Sequence, residues 1–140
     1  MRRLINPPVV SVVLILLILL DLVYVAIIAI SPATWFDVVY GAPYVDPEGL
    51  LRRTAAVWAS FALLQTIALL RWRRQPHWLM FVAGIRSTEV VADWVHVAFA
   101  GDLTLGGRVG LLAASPINLL CTWFFFQAYL QLGPVTDRER

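Results

Sequence analysis

Lysine is absent from this chain of 140 residues, and all eleven of its basic residues are arginine. Charged residues make up only 14% of the sequence, whereas soluble domains carry about 25%. The single cysteine, Cys121, excludes an intrachain disulfide. The sequence also lacks a phosphate-binding loop, a CxxC pair, a nucleophile elbow and a voltage-sensor array of arginines. With a net charge of only +2, nothing indicates nucleic-acid binding, and we expect no cofactor.

Long apolar runs are what the chain has instead, since 60% of its residues are hydrophobic. About 20 consecutive apolar residues suffice for a helix to cross a bilayer. The sequence predicts one all-α domain over residues 1–140, an integral membrane four-helix bundle that contacts the lipid bilayer. The predicted spans are residues 9–30, 50–72, 78–100 and 109–132.

The segment between the first two spans, residues 31–49, is rich in aromatic residues, prolines and acids. That composition is typical of a loop at the membrane interface, and residues 33–39 could form a short helix within it. Asp46, Pro47 and Glu48 suggest the start of the next helix, with the aspartate as its cap and the proline at its first position.

Arginines predict the orientation, because cytoplasmic loops carry the excess of positive charge. Most of the arginines lie on the side of the predicted bundle that holds the termini. Both termini are therefore expected in the cytoplasm. The arginines on that side are Arg2, Arg3, Arg71, Arg73, Arg74, Arg138 and Arg140, against Arg52, Arg53 and Arg108 on the other side.

Arg86, Glu89, Asp93 and His96 follow one another at spacings of three, four and three in the third span. These spacings place all four side chains on one face of a helix. An ionisable side chain in the membrane costs roughly 2.5–3.5 kcal/mol on insertion scales. The stripe is therefore expected either to pair inside the bundle or to perform chemistry.

Asp21, Gln65 and Asn118 lie at a similar depth in the other three spans. At about 1.5 Å per residue, Asp21 is about 18 Å and Glu89 about 16 Å from the cytoplasmic side. The sequence thus predicts one central polar layer to which every span contributes, as in sites built within helix bundles. Pro116, two residues before Asn118, is expected to kink the fourth span.

The charges of this layer do not balance, because three carboxylates face one guanidinium. A protonated carboxyl, a charged His96 or a bound cation would restore the balance. The alternative is a structural network that pairs Arg86 with Glu89, Asp93 with His96, and Asp21 with Asn118 or Gln65. Only two histidines are present, His77 and His96. They lie near opposite ends of one predicted helix, so we expect neither a metal site nor a bis-histidine haem.

Two resemblances arise at these residues. The runs DPEGLLRRT at 46–54, RWR at 71–73 and TEVVADW at 88–94 resemble the BphX-like proteins, small bacterial four-helix membrane proteins without an assigned activity. The resemblance implies the fold and a multi-pass protein of the bacterial inner membrane. Asp21, Glu89, His96 and Pro116 are similar in kind to the sterol isomerase and sigma-2 receptor superfamily, whose helices enclose an acidic pocket for a hydrophobic amine or sterol. Gln65 departs from that pattern, which has an acid there.

The leading functional hypothesis is an acidic, histidine-containing cavity at mid-membrane that binds or passes a small hydrophobic molecule, with proton exchange at Glu89 or Asp93. Seven polar side chains are expected to line this cavity: Asp21, Gln65, Arg86, Glu89, Asp93, His96 and Asn118. One alternative is a non-catalytic subunit or assembly protein that pairs with a second copy or a partner membrane protein. Another is an isomerase on a lipid-like substrate, with Glu89 or Asp93 as proton donor. Catalysis is not assigned.

Overall fold

A computed structural model describes residues 5–132 of the chain, and these residues form five helices and no strand. The prediction of an all-α fold is confirmed. The helices are α1 (Pro7–Ile30), α2 (Pro32–Tyr40), α3 (Leu50–Arg71), α4 (Trp78–Phe99) and α5 (Leu105–Leu132). The terminal arginines Arg2, Arg3, Arg138 and Arg140, which contribute to the predicted orientation, lie outside the described residues.

Three of these helices, α1, α3 and α5, are long and apolar enough to cross a membrane. Helix α4 has a comparable length of 22 residues, but Arg86, Glu89 and Asp93 fall within it. Whether α4 can also cross a membrane therefore depends on whether these three side chains are buried against other helices.

The four long helices form two closely packed pairs, α1 with α3 and α4 with α5. The pairs join through an apolar core to which all four helices contribute. Its buried members include Val10, Leu14, Leu17, Ala68, Leu79, Val82, Phe125 and Ala128. This core occupies the end of the bundle at which α1 begins and α5 ends. A hydrogen bond of 3.2 Å from the Ile5 amide to Gln131 Oε1 joins the chain there, and we call this the termini end.

Helix α2 lies at the opposite end, the α2 end, where it packs against α1 and α5. Gly41 ends α2 in the left-handed conformation, with φ +62°, which glycine adopts without steric cost. Thr104 then caps α2: its amide donates to the Val39 carbonyl at 2.9 Å and its hydroxyl donates to the Val38 carbonyl at 2.7 Å. Gly107 lies so close that a Cβ there would be within 3.1 Å of three Val39 backbone atoms.

The start of α3 corrects one expectation. Pro47 is not the first helical residue; the helix begins at Leu50, and Gly49 occupies the capping position. Asp46 nevertheless caps the helix across this turn, because its carboxylate accepts hydrogen bonds from the amides of Leu50 and Leu51 at 2.7 and 3.1 Å. The prediction that Asp46 caps the helix is confirmed, but the sequence did not predict the turn between Asp46 and the first helical residue.

Candidate functional site

Arg86 lies at the centre of a buried polar network that joins the two helix pairs. Its side chain is only 1% exposed. Nη2 donates to Asp21 Oδ2 of α1 at 2.6 Å and to Gln65 Oε1 of α3 at 2.8 Å. Nη1 donates to Glu89 Oε2, one turn further along α4, at 2.7 Å. A single guanidinium therefore connects three helices.

Gln65 and Asp21 complete this network. Gln65 Nε2 donates to Asp21 Oδ2 at 2.5 Å and also to the Phe61 carbonyl at 2.9 Å. Both side chains are essentially inaccessible, at 0% and 1% exposure. Asp21 Oδ2 thus receives hydrogen bonds from a cation and an amide, and charge-assisted bonds of this kind are roughly twice as strong as neutral ones.

Helical periodicity explains why these polar side chains point inward. Arg86 continues the buried row of α4 after Leu79, Val82 and Ala83, at the spacings that keep residues on one helical face. Asp21 in the same way follows Leu14 and Leu17 on the buried face of α1.

Gln65 lies between two small buried residues of α3, Ala62 and Ala68. Small side chains allow helix backbones to approach closely. The short glutamine can therefore reach across to α1.

Glu89 has both carboxylate oxygens engaged. Oε2 accepts from Arg86, and Oε1 accepts from Trp58 Nε1 of α3 at 3.1 Å. Guanidinium and indole N–H groups can only donate, so this arrangement suits the ionised carboxylate. The Glu89 side chain is 16% exposed, and it therefore marks the edge of the buried network on the side of the α2 end.

Trp58 also belongs to a cluster of three aromatic rings from three helices. Its ring centroid lies 5.2 Å from that of Tyr24 and 5.6 Å from that of Trp35, and the Tyr24 and Trp35 centroids are 5.4 Å apart. Separations in this range favour aromatic pairing. The cluster of Tyr24, Trp35 and Trp58, which we call the aromatic cluster, brings α1, α2 and α3 together beside Glu89.

Asp93 is partly buried, yet within residues 5–132 its carboxylate has neither a hydrogen bond nor an ion pair. It lies close enough to Glu89 and Tyr24 for electrostatic interaction. The hypothesis that paired Asp93 with His96 is therefore not supported by the contacts of the described chain. Asp93 is the member of the stripe that is left without a direct partner.

His96 contacts α2 instead. Its Nε2 lies 2.8 Å from the hydroxyl oxygen of Tyr40, and the two rings are nearly perpendicular, with centroids 5.9 Å apart. Burial raises the pKa of the Tyr40 phenol above its ordinary value, so the hydroxyl keeps its proton at neutral pH and can donate. The stripe thus ends in a hydrogen bond to the helix at the α2 end.

Asn118 is 8% exposed on α5, but no side-chain hydrogen bond in the described part of the chain links it to Arg86. Its carbonyl accepts the Thr122 hydroxyl at 2.9 Å. The structure therefore brings together Asp21, Gln65, Arg86 and Glu89, joins His96 to α2, and leaves Asp93 and Asn118 outside the network. No group of three His, Cys, Asp or Glu side chains in residues 5–132 is arranged to hold a metal.

The sequence did not predict that Tyr24, Trp35, Tyr40 and Trp58 lie beside the stripe. A signal for two of the missed residues was present in the helical spacing. Tyr24 lies three residues after Asp21, and Trp58 seven residues before Gln65, so each shares the face of a buried polar residue.

Trp58→Phe is expected to lower the free energy of unfolding by about 1.5–3 kcal/mol, because it removes a hydrogen bond to a charged group while retaining the ring. Equilibrium unfolding in detergent micelles measures this change. Trp123→Phe is the matched control, since Trp123 is 60% exposed on α5 and should alter stability little. Equal losses in both variants would show that the Glu89 bond contributes nothing.

Comparison of the chain with protein-family models, curated proteins and solved structures gives no match. The resemblances to the BphX-like proteins and to the sterol isomerase superfamily therefore stay predictions. The features of the structure that bear on function are the polar network, the aromatic cluster and Asp93.

Proposed function

We propose that the chain is a four-span protein of the bacterial inner membrane, with α1, α3, α4 and α5 as its spans, both termini in the cytoplasm and α2 at the opposite interface. The internal pairing of Arg86 and Glu89 supports a membrane location for α4, because paired ionisable groups can face a bundle interior. Its outward residues are apolar, including Phe81 and Val91, which are 58% and 63% exposed.

The function we propose is binding or passage of a small hydrophobic molecule between α4 and the α1–α3 pair, on the α2 side of Arg86. The observation that carries this proposal is the unpartnered, partly buried carboxylate of Asp93 beside Glu89 and Tyr24. Ligand sites typically combine apolar and aromatic walls with a few polar groups. The aromatic cluster supplies such a wall, and Asp93 supplies a polar group without a competing protein partner.

Packing of α4 supports the same location. All four of its buried residues, Leu79, Val82, Ala83 and Arg86, precede Ser87. The remaining turns, which carry Glu89, Asp93 and His96, bury no residue fully. In this proposal the network around Arg86 forms the floor of the site, and the hydrogen bond between Tyr40 and His96 lies toward its entrance.

Asp93→Asn is expected to lower the amount of hydrophobic small molecule that copurifies with the protein by roughly tenfold, which corresponds to about 1.4 kcal/mol, the size of one lost hydrogen bond. Native mass spectrometry of protein extracted in mild detergent measures the bound fraction. Asp102→Asn is the control, because Asp102 is exposed in the turn before α5. Identical bound fractions in wild type and Asp93→Asn would contradict the proposed site.

A second candidate, a non-catalytic subunit or assembly protein, is favoured by the three hydrogen bonds that Arg86 makes to partners inside the bundle. Such pairing holds helices together without any ligand. In that case the purified protein would carry no stoichiometric small molecule. Substitutions of Asp93 would then leave its complexes unchanged, whereas substitutions of outward residues such as Val91 would weaken them.

A further inference from the structure

Hydrogen bonding distinguishes Asp93 from Asp21 and Glu89, the two carboxylates of the network. Asp21 Oδ2 accepts from Arg86 and Gln65. Both oxygens of Glu89 accept from groups that can only donate. Hydrogen bonds to the charged form of a carboxylate favour that form. Asp21 and Glu89 are therefore the two carboxyl groups whose hydrogen bonds suit the charged form, and two carboxylates already exceed the single positive charge of Arg86.

Asp93 differs from Asp21 and Glu89 in its hydrogen bonding and in the charges near it. No donor reaches it within the described chain, and the negative charge of Glu89 acts on it. Removal from water and a neighbouring like charge both favour a protonated carboxyl. A proton on Asp93 would prevent the accumulation of a second uncompensated negative charge beside Arg86.

We propose that Asp93 is a reversible proton-binding site that exchanges protons with the aqueous phase at the α2 end only, through His96 and Tyr40. The proposal rests on the membrane placement given under Proposed function, but it does not require the hydrophobic ligand. It assigns the exchange to Asp93 rather than to Glu89.

The surroundings of Asp93 contain both charged and titratable groups. Helix α4 itself contributes Arg86, Glu89 and His96, and α1 contributes Asp21 and Tyr24. Helix α2 contributes Tyr40, and α5 contributes Cys121 near Arg86. Helix α3 contributes two uncharged side chains, Gln65 and Trp58. Arg86 is the only fixed positive charge of this set, and its Nη atoms bond Asp21, Gln65 and Glu89.

His96 and Tyr40 form the proposed route on one side of Asp93. His96 lies three residues further along the same face of α4, and its Nε2 is hydrogen-bonded to Tyr40. Imidazole serves as a proton shuttle near neutral pH. Tyr40 is the last residue of α2, so this pair connects the neighbourhood of Asp93 with the α2 end.

Apolar packing closes the opposite side of the site, toward the termini end. Beyond Arg86 the interior consists of apolar side chains such as Leu14, Leu17, Leu79 and Phe125, each of them at most 6% exposed. Proton exchange is therefore restricted to the α2 end.

Infrared difference spectroscopy tests this assignment without any added ligand. Reconstituted in vesicles, the wild-type protein should show a protonated carboxyl C=O band that is lost as the pH rises. Asp93→Asn should abolish this band at every pH. Glu89→Gln should retain the band, but its loss should occur at lower pH because the neighbouring negative charge is gone. Asp93→Glu keeps a carboxyl and should move the band, which provides a second test if the asparagine variant fails to fold.

Sidedness and route are tested in vesicles of known protein orientation. A pH step on the α2 side should titrate the band, and a step on the termini side should not. His96→Ala should slow this titration, whereas His77→Ala, which alters an exposed residue near the start of α4, should not. Retention of the band in Asp93→Asn, its absence from Glu89→Gln at every pH, or titration from the termini side would overturn the proposal. Absence of a copurified molecule would contradict only the ligand-binding function.

Discussion

Replacing Arg86 by methionine is expected to lower the free energy of unfolding by about 3–5 kcal/mol, the cost of removing one partner of a buried ion pair. Methionine retains much of the side-chain volume but none of the donors. Asp21, which is 1% exposed, would then be buried beside Glu89 without a cation. The variant should also accumulate poorly in the membrane, because α4 would insert with an unpaired Glu89.

Equilibrium unfolding in detergent micelles measures this loss, and Arg108→Met is the control because Arg108 is exposed on α5. Combining Arg86→Met with Asp21→Asn should restore part of the stability, since the double variant no longer buries the aspartate charge. Coupled neighbours typically show interaction energies of about 0.5–3 kcal/mol. Strictly additive losses, or an Arg86 variant as stable as the Arg108 control, would show that the network does not hold the bundle together.

Gly107→Ala is expected to displace α2 from α5 and to destabilise the protein by about 1–3 kcal/mol, as overpacking of a close contact does. A Cβ at this position would lie within 3.1 Å of the Cα and carbonyl carbon of Val39 and closer still to its carbonyl oxygen. Backbone atoms cannot rotate away as a flexible side chain can. The hydrogen bond between Tyr40 and His96 should weaken with the shift of α2.

Gly110→Ala provides a matched control on the same helix, because a Cβ there meets nothing within 4 Å. Alanine is favoured over glycine inside a helix by about 0.8–1.0 kcal/mol, so the control should be slightly more stable than wild type. Thermal unfolding compares the two variants, and the proton-exchange rate of Asp93 reports on the contact with His96. If both alanines stabilise the protein equally, the close approach of α2 to α5 is not a constraint.

Much of the polar network could be predicted from the sequence. The spacing of Arg86 and Glu89 predicts that they share a helical face, and the structure pairs them. Matching depths predict that Asp21 and Gln65 lie at one level, and these side chains are hydrogen-bonded to each other. Both inferences rest on the fixed rise and periodicity of a helix, which require no knowledge of neighbouring elements.

The same rules failed for His96 and Asn118. His96 lies one turn from Asp93, yet it contacts Tyr40 of α2. Asn118 has a suitable depth, but no side-chain bond within residues 5–132 joins it to the network. Periodicity says which residues share a face, not how far each helix is rotated about its own axis or which neighbour it meets.

By itself, the sequence determined that the chain is helical, that its long segments are apolar, and that ionisable side chains form a stripe in the third of four predicted spans. Among the described helices, three are long and apolar enough to cross a membrane. Local backbone periodicity and composition suffice for these properties. Only the tertiary structure decided that Arg86 bonds Asp21, Gln65 and Glu89, and that Asp93 has no direct partner within residues 5–132. Those outcomes depend on the packing of α1, α2 and α3 against α4, because the rotation and position of each helix decide which acceptors come within reach of the guanidinium.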